Sequence, residues 1–390
     1  MNRSCDVCAS VISDLTYDAR VWKECRSLAH GGRSVALIGP AYDIEHARRR
    51  RDESGAEVLE IPFGWRDKPK SYARRIGVMA RVSLEVLRTP ARVYHSHDIH
   101  PGLASLLAAR LRGAKLVYDG HELAGEEFES TPRAWLVAKT GALFERMMVR
   151  VSDAVITTNP SRAEVLEQRY GRSDITVLAN VPPLQEDVVP LDPGYPPGKR
   201  VLLYQGRISA DTRSFKETVH ALPLVDEDVH FVIIGFGWEW AKDLIRGWAA
   251  EAGVSDRVHF LPPRPWQEMA ATAAAATVGL VPIYNMDINH QLGDTNKLHE
   301  YLMGGLPVIA SDLPEIRRVV TMGDPPVGEL FDPSSPESIA AALRKVLEDP
   351  EVLAGRRRSA RRLAEEHLNW GIEERRLLAL YDQLIGNGAR

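Results

Sequence analysis

Short runs of β-branched and apolar residues alternate along the chain with longer segments whose apolar residues recur at helical spacing. This alternation is typical of parallel sheets built from β-strand, α-helix, β-strand units. In the first half, strands are predicted at residues 7–12, 34–38, 93–97, 115–118, 154–158 and 175–178. In the second half, they are predicted at residues 201–204, 230–234, 258–261, 278–281 and 307–310.

A segment rich in proline separates the two halves. Residues 181–199 read VPPLQEDVVPLDPGYPPGK, and proline continues neither a helix interior nor a central strand. A chain of 390 residues is also too long for a single core. We therefore predict an α/β protein with two Rossmann-like, doubly wound parallel-sheet domains that face each other across a cleft. The predicted bounds are 1–185 for the first domain, 186–199 for a linker, 200–368 for the second domain and 369–390 for a C-terminal helix that returns to the first domain.

Composition narrows the class of function. The chain has 49 Lys and Arg against 53 Asp and Glu, a net charge of -4, which argues against a nucleic-acid partner. No apolar run reaches the length of a membrane span, so we expect a cytoplasmic protein. Three cysteines form no disulfide framework. Cys5 and Cys8 lie at the start of the first predicted strand, where positions three apart face opposite sides, which argues against a redox or zinc pair.

One candidate site lies where the first strand after the linker ends. Gly206 makes a turn there, and Arg207 and Arg213 follow, six positions apart. Guanidinium groups beside a helix start bind a phosphate or diphosphate through paired hydrogen bonds and the helix dipole. A surface loop with solvated arginines is the alternative.

A second candidate segment is a predicted helix that begins near residues 295–297. Backbone amides at the start of a helix bind phosphate oxygens, and Glu300, one turn further on, is placed to accept hydrogen bonds from a vicinal diol such as ribose. Gly304 and Gly305 then end the helix before a buried strand. Taken alone, this segment favours the interpretation of Glu300 as surface charge.

These motifs resemble the family 4 retaining glycosyltransferases of the GT-B fold. The pattern G-R-x5-R is followed by N-K-L-x-E-Y-x-x-G-G-L-P-V-I-A-S-D. In the amino-terminal half, SDLTYDARVWKECRSLAHGG, VYHSHDIHPGLASLLAARLRGAKLVYDGHEL and AVITTNPS are similar to stretches of bacterial members. The resemblance extends from about residue 13 to residue 308.

The resemblance implies a role for each matching residue. Arg207 and Arg213 would bind the donor diphosphate as the main catalytic groups, with His121 near the donor sugar. Glu300 would bind the ribose, and the remaining donor-binding positions are Gly206, Gly235, Arg264, Thr295, Asn296 and Lys297. Leu292 occupies the place where the family often has a second glutamate, and Asp294 is a displaced substitute. Acceptor-side candidates are Asp98, His100 and Asp18.

The implied reaction transfers a sugar from a nucleoside-diphosphate sugar to an acceptor, with retention of configuration. Fixed cations at the diphosphate remove the need for a metal, and no cofactor other than the sugar-nucleotide co-substrate is expected. The only Asp-x-Asp, at 226–228, precedes a strand and so belongs at the opposite sheet edge. The base, the sugar, the acceptor (a glycan, a lipid carrier or a small metabolite) and the oligomeric state stay open.

Several alternatives stay open or are disfavoured. A sugar-nucleotide 2-epimerase would turn over donor alone, and a non-catalytic binding module would bind nucleotide without transfer. A metal site among His95, His97, Asp98, His100 and His121 is disfavoured. The basic segment 68–92 fits a solvated helix face better than a peripheral membrane contact, and residues 48–51 are interpreted as a charged loop. Gly235 and Gly237 begin a dinucleotide fingerprint that Trp240 breaks.

Overall fold

Two sheets of mainly parallel strands form the framework of the chain. The computed structural model describes residues 4–16, 18–64, 72–125 and 132–386. It divides into one unit made of Met1–Asn180 with Gly371–Arg390 and a second made of Val181–Trp370. The prediction of two α/β units with parallel sheets is confirmed.

The first unit contains an eight-stranded sheet in the order β3-β4-β2-β1-β5-β6-β7-β8. Its strands are β1 (Cys5–Ser10), β2 (Val35–Tyr42), β3 (Arg48–Arg51), β4 (Glu57–Gly64), β5 (Ala91–His97), β6 (Lys115–Gly120), β7 (Ala154–Thr157) and β8 (Ile175–Val177). Its helices are α1 (Ala19–His30), α2 (Tyr72–Arg88), α3 (Gly102–Arg112), α4 (Pro132–Val151) and α5 (Pro160–Tyr170). The strand order reverses between β1 and β5, where ligand sites of open α/β sheets occur.

The second unit contains a six-stranded parallel sheet in the order β11-β10-β9-β12-β13-β14. Its strands are β9 (Arg200–Gln205), β10 (Val229–Ile234), β11 (Val258–Leu261), β12 (Val278–Val281), β13 (Val308–Ser311) and β14 (Gly328–Phe331). Its helices are α6 (Phe215–Ala221), α7 (Glu239–Glu251), α8 (Met269–Ala274), α9 (Ile288–Gln291), α10 (Asn296–Met303), α11 (Pro314–Thr321), α12 (Pro336–Leu347) and α13 (Pro350–Glu366). Here the order reverses between β9 and β12.

Apolar strand residues form the two cores. Val7, Leu37 and Val93 have no exposed surface in the first sheet, and the same holds for Leu203 and Ile233 in the second. Burial of such side chains supplies the main favourable free energy of folding. The loops that follow these strands at their carboxyl ends contain the polar residues of the candidate sites.

The interpretation of residues 48–51 as a charged loop was wrong. These four arginines form β3, which pairs antiparallel with β4 and makes the first sheet mixed. Arg48 and Arg50 both form ion pairs with Glu60, which is almost fully buried. The cross-strand carboxylate thus compensates the charge repulsion that made a strand unexpected from sequence. Strands β4 and β14 were also absent from the sequence-based prediction.

The predicted linker and the last helix each place a buried tyrosine in one of the two units. Within the predicted linker 186–199, Tyr195 is almost fully buried and its hydroxyl donates to the Thr272 carbonyl over 2.9 Å. The last helix, α14 (Trp370–Ile385), belongs to the first unit from Gly371 onward. Its Tyr381 is fully buried, and the Tyr381 hydroxyl lies 2.8 Å from Nδ1 of His95 on β5.

Candidate functional site

Two glycine turns meet at the carboxyl ends of β9 and β10 in the second unit. Gly206 has a φ of 128°, which glycine adopts without strain. A Cβ atom on Gly235 would lie 1.8 Å from the Gly206 carbonyl oxygen, so the two backbones approach too closely for any side chain. The Gly206 amide donates to the Ile234 carbonyl over 2.9 Å. The paired turns therefore leave a side-chain-free edge beside the reversal point of the sheet.

The two arginines predicted to bind the diphosphate follow this turn in different surroundings. Arg207 is exposed directly after Gly206, and the Tyr204 hydroxyl donates to its carbonyl over 2.6 Å. Arg213 is half-buried and donates from Nη1 to the Thr212 carbonyl over 2.9 Å. Within the described residues, Arg213 Nε is shielded from solvent and lacks a hydrogen-bond acceptor. A buried donor of this kind is expected to meet an acceptor in the functional state.

Helix α10 begins beside the same turn. Thr295 is its N-cap residue with extended backbone, Asn296 is exposed, and Lys297 is buried. Lys297 Nζ donates to Thr295 Oγ1 over 3.1 Å and lies 5.1 Å from the centre of the Tyr204 ring. The Thr295 hydroxyl accepts a hydrogen bond from Lys297, and the Thr295 side chain makes no capping hydrogen bond to the first amides of α10.

The remaining donor-site candidates differ in their burial and in their ion-pair contacts. Glu300 is half-buried one turn into α10. Arg264, after β11, lies 3.7 Å from Glu268 across one turn. The Asp294 side chain is almost fully buried, and its Oδ2 lies 2.9 Å from His299 Nε2. Because this carboxylate pairs with His299, it is a poor substitute for the acid absent at Leu292.

In the first unit, His121 is bound by carboxylates at both ring nitrogens. Its Nε2 lies 3.0 Å from Asp119 Oδ2 at the end of β6, and its Nδ1 lies 3.4 Å from Asp98 Oδ2. Asp98 also accepts from the His121 amide over 2.9 Å and has a φ of 60°, a left-handed conformation. Although burial lowers the pKa of His121, Asp98 and Asp119 raise it to about 9. The imidazole is therefore a fixed imidazolium at neutral pH.

A buried arginine joins this histidine to helix α1. Arg20 binds both oxygens of Asp119, at 3.0 and 2.9 Å, and donates to the Leu178 carbonyl over 2.7 Å. Arg20 also pairs with Glu24, four residues further along α1, at 3.0 Å. Burial acts to raise the pKa of Asp119, but Arg20 and His121 hold it well below its usual range. Burial and the charge of Asp119 raise the pKa of Glu24 to about 7, although the charge of Arg20 acts to lower it.

Two stacked histidines complete the cluster. His95 and His97 lie on β5 with ring centres 4.2 Å apart, and His97 Nδ1 lies 3.2 Å from Asp119 Oδ2. Burial, followed by the charge of His97, lowers the pKa of His95 well below its usual range. We call Arg20, Glu24, His95, His97 and Asp119 the buried network.

The carboxylate and imidazole groups of the buried network suit the guanidinium of Arg20 better than a metal ion. Glu24, His95, His97 and Asp119 offer ligand atoms that lie within 4.8 Å of one another. Both oxygens of Asp119, however, already bind Arg20, whose charge would repel a dication. Among the other residues considered for a metal site, Asp98 and His121 pair with each other, and His100 is exposed in the turn after β5.

The acceptor-side candidate Asp18 has a structural role in the first unit. It is the N-cap of α1, and its carboxylate accepts from the Val21 amide over 3.2 Å.

Sequence patterns gave little indication of two further residues of these sites. Asp119 was not singled out, although its place at the end of β6, two residues before His121, is the available signal. The side chain of Lys297 was also overlooked in favour of its amide.

Comparison with known families tests the assignment suggested by these residues. The sequence profile described as "Glycosyl transferase 4-like domain" matches residues 17–181. The profile described as "Glycosyl transferases group 1" matches residues 199–349. Together, the two matches cover most of both units. The chain belongs to the family 4 glycosyltransferases of the GT-B fold.

Relatives of this glycosyltransferase are bacterial enzymes. The D-inositol 3-phosphate glycosyltransferase of Stackebrandtia nassauensis is 28% identical over 68% of this chain and 65% of its own length, slightly less than two thirds. The phosphatidyl-myo-inositol mannosyltransferase of Mycolicibacterium smegmatis is 29% identical over 93% of this chain and 89% of its own.

Solved structures share the fold of the glycosyltransferase. Sucrose-phosphate synthase from Thermosynechococcus elongatus superposes with a TM-score of 0.77 at 16% identity, covering 98% of this chain and 99% of that one. Anabaena Alr3699/HepE in complex with UDP and glucose has a TM-score of 0.67 at 14% identity, covering 97% and 100%. Each helix in the described part of the chain is too short or too polar to span a bilayer.

Proposed function

We propose that this glycosyltransferase transfers a sugar from a nucleoside-diphosphate sugar to an acceptor, with retention of configuration and without a metal ion. The proposal depends on one observation. The side-chain-free edge at Gly206 and Gly235, the shielded Nε of Arg213 and the start of α10 lie together in the second unit. Backbone amides and guanidinium donors with this arrangement suit a diphosphate.

The proposed roles in the second unit follow from this placement. Arg207 and Arg213 bind the diphosphate, and the amides at 295–297 meet its oxygens. Glu300 accepts hydrogen bonds from the ribose, and the loop with Arg264 meets the base. That Anabaena Alr3699/HepE was crystallised with UDP supports a nucleotide donor of this kind. The base itself stays open among UDP, GDP, ADP and dTDP.

The transfer step needs no nucleophile from the protein. The bond between the anomeric carbon and the diphosphate oxygen breaks, while the acceptor oxygen bonds to that carbon on the same face. The acceptor proton passes to the departing diphosphate. Negative charge grows on the diphosphate as the bond breaks, so fixed cations stabilise the transition state more than the ground state. This charge compensation is the argument for a reaction without a metal.

We assign acceptor recognition to the first domain, 1–185, and donor recognition to the second, 200–368, with a linker at 186–199 and a returning helix at 369–390. His121 acts by charge, because carboxylates already occupy both of its ring nitrogens. Asp98 and His100 are the remaining acceptor-side candidates, since Asp18 caps α1. The names of the relatives make inositol phosphates the first acceptors to test.

A thermal-shift panel of UDP, GDP, ADP and dTDP, each with and without EDTA, tests donor binding. We expect one nucleotide to raise the melting temperature, and EDTA to leave that shift unchanged. The selected sugar nucleotide is then incubated with inositol phosphates and other acceptors, and the anomeric configuration of the product is read by NMR. A product with inverted configuration contradicts the mechanism.

The same assays distinguish the two alternative functions. A 2-epimerase would convert the donor in the absence of any acceptor. A non-catalytic binding module would show the thermal shift but would release no nucleoside diphosphate with any acceptor. If none of the four nucleotides changes the melting temperature, the donor site proposed for the second unit is wrong.

A further inference from the structure

Lys297 is a buried lysine that the roles proposed above leave unused beyond its backbone amide. It is 8% exposed, the only buried lysine among the residues that the structure describes. Burying an ammonium group is unfavourable, so a buried lysine is a candidate for a functional group. Its position in the first turn of α10 therefore needs an explanation.

The lysine side chain reaches the turn that was assigned to the diphosphate. Its Cε and Nζ lie 3.6 and 3.9 Å from the position that a Cβ of Gly206 would occupy. From there Nζ donates to Thr295 Oγ1 and lies over the Tyr204 ring. The ammonium therefore lies within van der Waals distance of the Cβ position at the Gly206 turn.

The side chains around Lys297 come from the loop after β9, from β9 itself, from α10 and from α13. Arg213, on the loop after β9, repels it, and Glu300, on α10 itself, attracts it. Tyr204 faces it from β9 with the ring rather than with a charge. His299, also on α10, is engaged with Asp294. From α13, Arg361 reaches the opposite end of α10, at the Met303 carbonyl.

We propose that Lys297 is the third cation of the phosphate site, and that its ammonium contacts the diphosphate beside Gly206. The proposal depends on the donor site of the proposed function and adds a residue to it. Without ligand, the nearby positive charge of Arg213 and the positive end of the α10 dipole both disfavour a second charge at this place. A bound diphosphate reverses that balance, so that Lys297 becomes fully protonated when the nucleotide binds.

The protonation state supports this sequence of events. Burial, followed by the charge of Arg213, lowers the pKa of Lys297 to about 7. At pH 8 the free protein then has mostly neutral lysine at this position. The diphosphate is already fully ionised at pH 8, because the second pKa of such phosphates is about 6. Binding at pH 8 should therefore take up a proton from the buffer, and that proton goes to Lys297 Nζ.

Calorimetry in two buffers with different ionisation enthalpies measures this proton. The probe is the nucleoside diphosphate, among UDP, GDP, ADP and dTDP, that gives the largest thermal shift. For the wild-type protein we expect uptake of between about half a proton and one proton at pH 8, with the larger value approached as pH exceeds the free-state pKa. Zero uptake at pH 8 overturns the proposal without any variant.

Two variants assign the proton to this residue. In Lys297→Met the uptake should fall to near zero and the affinity should fall by about 10- to 100-fold. In Lys297→Arg, where the charge is permanent, the uptake should also vanish, but more of the affinity should remain. Lys345→Arg, on α12 with Nζ 2.8 Å from Glu329, is the matched control. Unchanged uptake in either Lys297 variant overturns the proposal. Absence of binding by wild-type protein refutes the donor site instead.

Discussion

Asp119 Oδ2 lies 3.0 Å from His121 Nε2, and the same carboxylate is bound through both of its oxygens by Arg20. The histidine is thereby connected to a buried arginine on α1 through one acid. Its protonation and its ring orientation both depend on that acid. The charge of His121 therefore depends on buried residues of the first unit, namely Asp119 and Arg20, as well as on its own imidazole.

The first prediction concerns Asp119→Asn. The amide removes a negative charge beside His121, so the pKa of His121 should fall from about 9 toward its ordinary value of 6.5. The variant should lose activity above neutral pH, where the wild-type imidazolium persists. The histidine pKa is measured by NMR titration of its ring carbon. Folding is checked by circular dichroism, and a His121 pKa that stays near 9 would contradict the assignment.

The second prediction concerns Glu24→Gln and the pH dependence of stability. The pKa of Glu24 is raised to about 7 in the folded protein, from an ordinary 4.5. Its contribution to stability is therefore complete below pH 4.5 and is lost as the pH rises through 7. Glutamine has no proton to lose, so above pH 7 the variant should exceed the wild type by on the order of 1–3 kcal/mol.

Urea unfolding at pH 5 and at pH 8 measures this difference. At pH 5 the two proteins should be close in stability, because Glu24 is then mostly protonated in the folded state. If the free energies of unfolding of the two proteins differed by the same amount at both pH values, the carboxyl of Glu24 would not titrate as assigned.

The third prediction concerns the two arginines of the donor site. Arg207→Ala and Arg213→Ala should each lower kcat by about two to three orders of magnitude, since a lost transition-state charge partner costs roughly 3 to 4 kcal/mol. Arg344→Ala, exposed on α12 and bonded to the Leu224 carbonyl, should change kcat little. Near-normal turnover in both donor-site variants would remove the arginines from the mechanism.

The fourth prediction concerns Gly235→Ala. The new Cβ would lie 1.8 Å from the Gly206 carbonyl oxygen, so the turn must shift and nucleotide affinity should fall by at least about tenfold. Gly247→Ala is a useful control, because no atom lies within 4 Å of a Cβ at that position on α7. It should stabilise the helix by up to about 1 kcal/mol and leave affinity unchanged. Calorimetry with the selected nucleotide would refute the role of the turn if the two variants bound equally.

The fifth prediction concerns Glu300→Ala. If Glu300 binds the ribose, the variant should bind the nucleoside diphosphate more weakly by about tenfold or more, because hydrogen bonds to a charged group contribute about 1.5 to 3 kcal/mol. Inorganic pyrophosphate has no ribose, so its affinity should change much less. Equal losses for both ligands would show that the carboxylate acts on the diphosphate site in general.

Sequence patterns anticipated the parts of the fold that depend on local spacing. The strands after the linker and the glycine turn at Gly206 follow from alternation and from backbone requirements. Strand β3 does not, because four adjacent arginines form a strand only when acids such as Glu60 lie opposite, and that pairing is not visible along the chain. The same reason hid the pairing of Asp119 with Arg20, which lie 99 positions apart.

Burial of a charged side chain was equally hard to predict. Lys297 occupies a helical position next to an exposed Asn296, and its sequence neighbours give no sign that its ammonium points toward Gly206. Asp294 had the right charge for a sugar-binding acid, but the nearby His299 pairs with it instead. In both cases a tertiary contact decided the role.

The return of α14 to the first unit has a consequence for synthesis. The second unit is one uninterrupted stretch of polypeptide, Val181–Trp370, inserted between two pieces of the first. Tyr381 and Leu377 are both fully buried in the interior of the first unit, and both are translated after the whole of the second unit. The ribosome therefore completes the second unit before the first, and the inserted unit has its whole sequence available for folding earlier.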